Sequence, residues 1–383
     1  MRRLPRGRRP ATLAAIAWLL TWGAGAAGPS DAPTGEEIRS VLADVRAKYD
    51  LPAMAGAVVS GRGLRALASV GVRKAGTEVA VTDDDLWHLG SDTKAMTAVL
   101  VGALVEKGRL GWGTTVGEVF PELVADPAAP LAEADLRHLL SHRSGLPAAP
   151  ADGWWLVPRA DAVQGRRLNA VALALGEKPV GGPGETYLYS NYGYVVAGAM
   201  VERVTGSSWE ELVSAEVFNP LGMLSAGFGG VGTPGEVDQP WGHGAGGKPV
   251  NGNGPAIDNP PVMGPAGRVH CKLADWAKFI ADQLRGARGG PALLRPETYR
   301  FLHTPPFGGD YALGWAVADR EWGGGRVLVH AGSNIMNFAL VWMAPARDFA
   351  VLVVTNQGGP AAEKGCDEAA GALIERIRGA SRP

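Results

Sequence analysis

The sequence is poor in cysteine, in net charge and in long apolar runs. Among 383 residues only Cys271 and Cys366 carry thiols. Two cysteines 95 positions apart give no disulfide framework. Buried free thiols are expected, with a single Cys271–Cys366 pair as the alternative for an exported chain. The net charge is −1, from 37 basic and 38 acidic residues, so there is no electrostatic footprint for nucleic acid. No G-x-S-x-G occurs, which argues against an α/β-hydrolase nucleophile elbow. No internal repeat or G-X-Y period is present. Glycine and proline together make 83 residues, about 22%, below the roughly 25–30% of low-complexity chains. With 46% hydrophobic and 20% charged residues, the chain can bury a large core. Its length allows two or three domains, or one large one.

The N-terminal segment reads as targeting rather than fold. Arg2, Arg3, Arg6, Arg8 and Arg9 form a basic start, residues 11–22 an apolar run of 12, and Ala24-Gly25-Ala26 an A-x-A cleavage site. This predicts a secretory signal over residues 1–27, its apolar part too short to span a membrane. The Arg8-Arg9 pair fits a twin-arginine signal poorly, and no cysteine near the cleavage site provides a lipid anchor. The expected mature chain is exported, periplasmic or extracellular, without a membrane anchor. It holds 32 basic and 38 acidic residues, a net charge of about −6.

Beyond that point the pattern is helix and strands, a helical block, then strands and a helix. Thr34 to Glu37 reads T-x-x-E, a capping box ahead of Ile38, Val41, Leu42, Val45 and Tyr49 at helical spacing. Residues 54–60 and 64–72 read as a hairpin around Gly61-Arg62-Gly63. Helical patterns cover 91–107, 195–205 and 274–285. Strands are expected at 311–318, 326–329, 338–342 and 350–356, with a turn at 345–348 and a last helix over 361–378. Residues 229–254, with ten glycines, read as a loop. The simplest assembly is an α/β fold: one antiparallel sheet built from both ends, with a helical region inserted between them.

Three groups of residues could carry chemistry. Ser91-Asp92-Thr93-Lys94 fits S-x-x-K at a helix start, where i and i+3 share a face and the helix dipole favours developing negative charge. A serine hydroxyl is a weak nucleophile and needs such a neighbouring base. Tyr189-Ser190-Asn191 precedes a helix; a tyrosine can act as base where a cation lowers its pKa. His330-Ala331-Gly332 starts a loop or strand and is followed by Ser333. A strand there could supply a backbone N–H opposite that of Ser91, completing an oxyanion hole. His138 and His142, four apart, could share a metal from one helical face, but no H-E-x-x-H glutamate accompanies them. No metal or cofactor is expected.

In this order the motifs resemble those of the serine β-lactamase-related superfamily. The nearest branch is the class C β-lactamase-like, D,D-peptidase-like and family VIII esterase-like one, where S-x-x-K is followed by Y-x-N and then K-T-G or H-x-G. Residues 135–147 (DLRHLLSHRSGLP), 183–223 (including YSNYGYVVAGAMVERVTG and FNPLGM), 311–315 (YALGW) and 348–356 extend the resemblance over nearly all of the mature chain. It implies a β-lactamase/penicillin-binding transpeptidase-like fold. A sheet domain would comprise 28–90 and 291–383, a mainly helical domain 91–290, with the active site in the cleft between them.

The resemblance also implies roles. Ser91 is the acylated nucleophile, Lys94 its activator and Tyr189 the general base. Asn191 holds substrate polar groups, and the amides of Ser91 and Ser333 form the oxyanion hole beside Gly332. His330 stands where β-lactamases carry the lysine of K-T-G. A mostly neutral imidazole grips a carboxylate poorly, which favours an esterase or D-amino-acid peptidase over a true β-lactamase or D,D-carboxypeptidase. Many relatives have P-A-G-G where this chain has Pro265-Ala266-Gly267-Arg268. Arg268 either restores positive charge to the cleft or is a solvated surface arginine. Trp154, Trp155 and Trp241 either line an acyl pocket or pack. The expected partner is a small-molecule or peptide substrate, and the expected state a monomer. A binding or sensor protein without catalysis on the same fold is the alternative of another class.

Overall fold

The computed structural model describes residues 33–126 and 129–380. The segment read as a signal peptide lies outside them. The capping box forms as its spacing predicts. Thr34 Oγ1 accepts the Glu37 N–H at 3.2 Å, Glu37 Oε2 accepts the Thr34 N–H at 2.7 Å, and the helix Gly35–Lys48 follows.

Nine strands occur in the described residues: β1 (Ala53–Ser60), β2 (Gly63–Gly71), β3 (Leu86–His88), β4 (Gly227–Phe228), β5 (Val269–Lys272), β6 (Ala316–Arg320), β7 (Gly325–Ser333), β8 (Phe338–Ala344) and β9 (Phe349–Thr355). Six of them form one antiparallel sheet in the order β2-β1-β9-β8-β7-β6. The β1–β9 pairing, with Ala55 opposite Val354, joins the two ends of the chain in the middle of the sheet. This is the antiparallel sheet built from both ends that the sequence implies.

Both faces of the sheet are covered. In β1, Ala53, Ala55, Ala57 and Val59 belong to one core, while Met54 and Val58 belong to the other. β9 alternates likewise, Leu352 and Val354 against Val351 and Val353. One core is closed by the helices Gly35–Lys48 and Pro360–Ala380, through Ile38, Leu42, Cys366 and Leu373. On the other face the helix Leu273–Ala287 packs on β1 and β2. A boundary at residue 290 would separate this helix from the strands it covers. Each fully buried Val, Leu or Ile side chain contributes about 1.5–3 kcal/mol of burial, so these two cores hold the layers together.

The helix Thr93–Glu106 is apolar all round and buried from Thr93 to Leu104, as expected of a helix enclosed by others. Its neighbours include the helix Asn191–Thr205, capped by Ser190 Oγ on Gly193 N–H and ended by Gly206 in a left-handed conformation. That helix starts four residues earlier than its apolar periodicity indicates, because the Ser190 cap outweighs the weak propensities of Asn191 and Gly193.

Two further corrections concern strands. Residues 311–318 do not form one strand: β6 begins at Ala316, and the Tyr311–Trp315 segment loops past the start of the helix Thr93–Glu106. β7 is longer than 326–329 and carries His330, Gly332 and Ser333 as its last residues, so H-A-G ends a strand rather than starting a loop. A second small sheet, β3-β5-β4, has strands too short to show a period. Cys271 and Cys366 are both buried and free.

Candidate active site

Ser91 lies in the tight turn Gly90–Asp92 that opens into the helix Thr93–Glu106. One turn on, Lys94 is fully buried and its Nζ lies 2.9 Å from Ser91 Oγ. Lys94 Nζ also donates to Asn191 Oδ1 at 2.7 Å and to the Ala266 carbonyl at 2.6 Å. It sits 4.9 Å from the centroid of the Tyr189 ring. The S-x-x-K and Y-x-N motifs therefore meet at one nitrogen, Lys94 Nζ.

The end of β7 closes the other side. Gly90 has φ +51°, and a Cβ there would come within 2.4 Å of the Ser333 backbone nitrogen. A Cβ on Gly332 would lie 1.9 Å from the Leu89 carbonyl oxygen and 2.5 Å from the Ser91 nitrogen. Only glycine permits this approach, which brings the backbone amides of Ser91 and Ser333 into one corner. Gly267 differs, since a Cβ there would make ordinary contacts with the Gly90–Ser91 backbone. The Ser333 hydroxyl turns away, donating to the Asn337 carbonyl at 2.8 Å.

Burial sets the electrostatics. It pushes the Lys94 amine well down, with Asp92 opposing, and the Asp92 carboxyl well up, with Lys94 opposing. Burial also raises the Tyr189 phenol, an effect the nearby Ser91 hydroxyl only partly offsets. That overturns the expectation of a tyrosine made acidic by a cation: at neutral pH Tyr189 is a phenol. Lys94 Nζ is placed to donate to three oxygens, those of Ser91, Asn191 and Ala266; when the amine loses a proton, its lone pair can face the Ser91 O–H while the other two bonds remain.

His330 is 5% exposed, with Nε2 2.9 Å from the Tyr311 hydroxyl and Nδ1 3.7 Å from Asp92 Oδ1. Burial first, then Lys94, lowers its pKa to about 3. It is a neutral group turned inward. The hydroxyl of Tyr194 donates to the Leu140 carbonyl at 2.6 Å. His142 lies between the rings of Tyr189 and Tyr311, at 4.3 and 4.5 Å between centroids, and its Nδ1 accepts the Ser190 N–H at 3.0 Å. Asp92 follows Ser91 within the motif, but no spacing marks His142, Tyr194 and Tyr311 as belonging to the same corner.

Arg268 is neither a free cleft cation nor a solvated surface residue. It is 8% exposed, and its Nε donates to Asp258 Oδ2 at 3.2 Å. Of the tryptophans, Trp154 packs edge-on against Tyr192 at 5.3 Å, and Trp241 is buried under Lys74 at 3.4 Å. Trp155 and Leu156 stand 68% and 69% exposed. His138 stacks on Phe307 and pairs with Asp135. Among the described residues no group of three or more His, Cys, Asp or Glu is placed to hold a metal ion.

Comparison with known proteins agrees with this fold. Penicillin-binding protein 4 of Amycolatopsis lactamdurans is 29% identical over 340 residues, 82% of this chain and 83% of that protein. The octameric penicillin-binding protein homologue from Pyrococcus abyssi superposes with a TM-score of 0.71 at 21% identity, covering 89% of this chain and 77% of that one. D-alanine carboxypeptidase AmpC from Burkholderia cenocepacia gives 0.69 at 20% identity, covering 90% and 99%. These structures share the fold. The beta-lactamase family model matches residues 38–375, and the chain therefore belongs to the beta-lactamase family.

Proposed function

We propose that the protein is an exported serine hydrolase that works through an acyl-enzyme on a small ester or on an amide or peptide of a D-amino acid. The observation that carries this reading is the Lys94 amine 2.9 Å from Ser91 Oγ, with its other two contacts already taken by Asn191 and Ala266. Ser91 Oγ attacks the substrate carbonyl carbon while its proton passes to the Lys94 lone pair. The oxyanion is held by the Ser91 and Ser333 N–H groups. As the carbon–leaving-group bond breaks, the proton passes from Lys94 to the leaving group, with the Tyr189 phenol as relay. Water then attacks the acyl carbon by the same route in reverse, restoring Ser91. Asn191 steers substrate polar groups. The site lies in the cleft between the sheet domain and the helical one.

The substrate preference follows from missing charge. His330 is neutral and Arg268 is committed to Asp258, so neither offers a cation to a substrate carboxylate. A neutral ester or amide fits this corner. The reading as a β-lactamase or D,D-carboxypeptidase is favoured instead by the relatives named as penicillin-binding protein 4 and D-alanine carboxypeptidase. A fluorophosphonate probe should label the wild type and not Ser91→Ala. A folded wild type that takes no label points to a binding protein. Faster turnover of a chromogenic cephalosporin or a D-Ala peptide than of p-nitrophenyl esters reverses the substrate preference.

A further inference from the structure

Behind the turn that carries Ser91 lies a second buried polar cluster, belonging to none of the motifs. At its centre is Asp258, whose side chain is fully buried. Its Oδ2 lies 3.0 Å from His88 Nε2 and 3.2 Å from Arg268 Nε, and its Oδ1 accepts Asn334 Nδ2–H at 2.9 Å. His88 extends the chain, because its Nδ1 accepts the Gly90 N–H at 3.1 Å. With Nδ1 accepting, the imidazole proton is on Nε2 and points at Asp258. Burial raises the Asp258 carboxyl, but His88, Asn334 and Arg268 outweigh it and hold it below the usual carboxylate range. One carboxylate faces one guanidinium, so the cluster is neutral as a whole.

Its members come from separate segments: His88 from the end of β3, Arg268 from just before β5, Asn334 from just after β7. His88 reaches the oxyanion corner through the Gly90 N–H, and Asn334 adjoins it directly. Gly90 precedes Ser91, and Asn334 follows Ser333. Ser91 lies in a three-residue turn and Ser333 is the last residue of β7, opposite Phe338, so neither amide is held in the interior of an element. The chain after Asn334 is strained, with Ile335 at φ +67°, a conformation that a β-branched residue holds only when its surroundings impose it.

We propose that Asp258 is a positioning residue for the oxyanion hole. Through His88 and Gly90 it fixes the Ser91 amide, and through Asn334 it fixes the Ser333 amide, so that one carboxylate sets the spacing between the two donors. A carboxylate suits the task because it accepts from all three neighbours at once, and Arg268 supplies the charge that lets it stay ionised there. The inference rests on the reading of Ser91 and Ser333 as oxyanion donors.

The test uses the full chain as wild type, Asp258→Asn and Asn334→Ala. Active sites are counted by fluorophosphonate labelling, and kcat and KM are measured on p-nitrophenyl butyrate. Because oxyanion donors act chiefly in the transition state, Asp258→Asn should lower kcat per labelled site about 10–100-fold while KM changes little. Asn334→Ala leaves the Asp258–Arg268 pair intact and should show the same pattern with a smaller loss. Affinity for phenylboronic acid, which mimics the tetrahedral adduct, should fall in step with kcat/KM in both variants. A purely structural role would lower the melting temperature and the number of labelled sites but not kcat per site. Wild-type kcat per site in folded Asp258→Asn overturns the inference; if that variant does not fold, the same result in Asn334→Ala does so. Failure of the wild type to label overturns the reading of Ser91 and the inference with it. A labelled wild type with unaltered variants overturns the inference alone.

Discussion

Two buried clusters of charge in this protein are satisfied to very different degrees. Arg167 is fully buried, and every guanidinium N–H has an acceptor: Val262 O at 3.2 Å, Pro261 O at 3.0 Å, both oxygens of Glu210, and Glu202 Oε1. One orphan oxygen remains there, Glu202 Oε2. Around Ser91, both oxygens of Asp92, Nδ1 of His330 and Nε2 of His142 are buried without a partner. Interiors normally satisfy such groups. Where they do not, protonation states are held away from their ordinary values, which suits a place where a proton must move. The first cluster is support, and the second is poised for chemistry.

Reciprocal substitutions sharpen that contrast. Ser91→Ala should lower hydrolysis by at least about 10³-fold while the melting temperature stays level or rises, checked by initial rates and calorimetry. Arg167→Met should do the opposite. Leaving Glu202 buried and uncompensated costs about 3–5 kcal/mol, seen in urea titration, while kcat per labelled site stays within a few-fold of wild type. A large loss of kcat in folded Arg167→Met would erase the distinction.

Tyr189→Phe keeps the ring against His142 and removes the relay hydroxyl. A drop in kcat of about 10²-fold with nearly constant KM is expected; an unchanged kcat would remove Tyr189 from the proton path. The smallest effect concerns pH. Lys94 must be neutral to accept the Ser91 proton, and burial depresses its pKa, so kcat/KM should rise with pH through that depressed value. Asp92 holds the Lys94 pKa up, so Asp92→Asn should move the acid limb to lower pH. The same variant should gain stability relative to wild type as pH rises. The folded-state pKa of Asp92 is raised, so the wild type's favourable contribution is present below the ordinary carboxylate value and is lost as pH climbs to the raised one. His330, with its pKa near 3, should add no limb between pH 5 and 8.

What the sequence revealed, and what it hid, follows from range. Ser91 and Lys94 are one helical turn apart, so their contact is local, and the T-x-x-E cap before Gly35 is local too. β1 and β9 were legible as continuous β-rich apolar runs, and both are buried along almost their whole length. Asp258 had no such signal. It lies in a loop without period, and its partners are 10, 76 and 170 positions away. The fate of Arg268 was hidden for the same reason, since only the fold brings Asp258 to it. The direction of the Tyr189 shift depends on burial, which a motif does not state.

The pairing of β1 with β9 bears on how the chain acquires its structure. Ala53 and Thr355 are joined by a hydrogen bond of 2.7 Å across 302 positions. The middle of the sheet therefore cannot close until nearly the whole polypeptide is available, and loops of that length slow the search for native pairing. The β1–β2 hairpin must wait with one edge unpaired, a state open to association with other chains. Removal of the last 35 residues would delete β9 and the final helix and leave β1 beside a gap in the sheet, although every residue grouped around Ser91 would still be present. The residues grouped around Ser91 thus owe their geometry to the last tenth of the sequence.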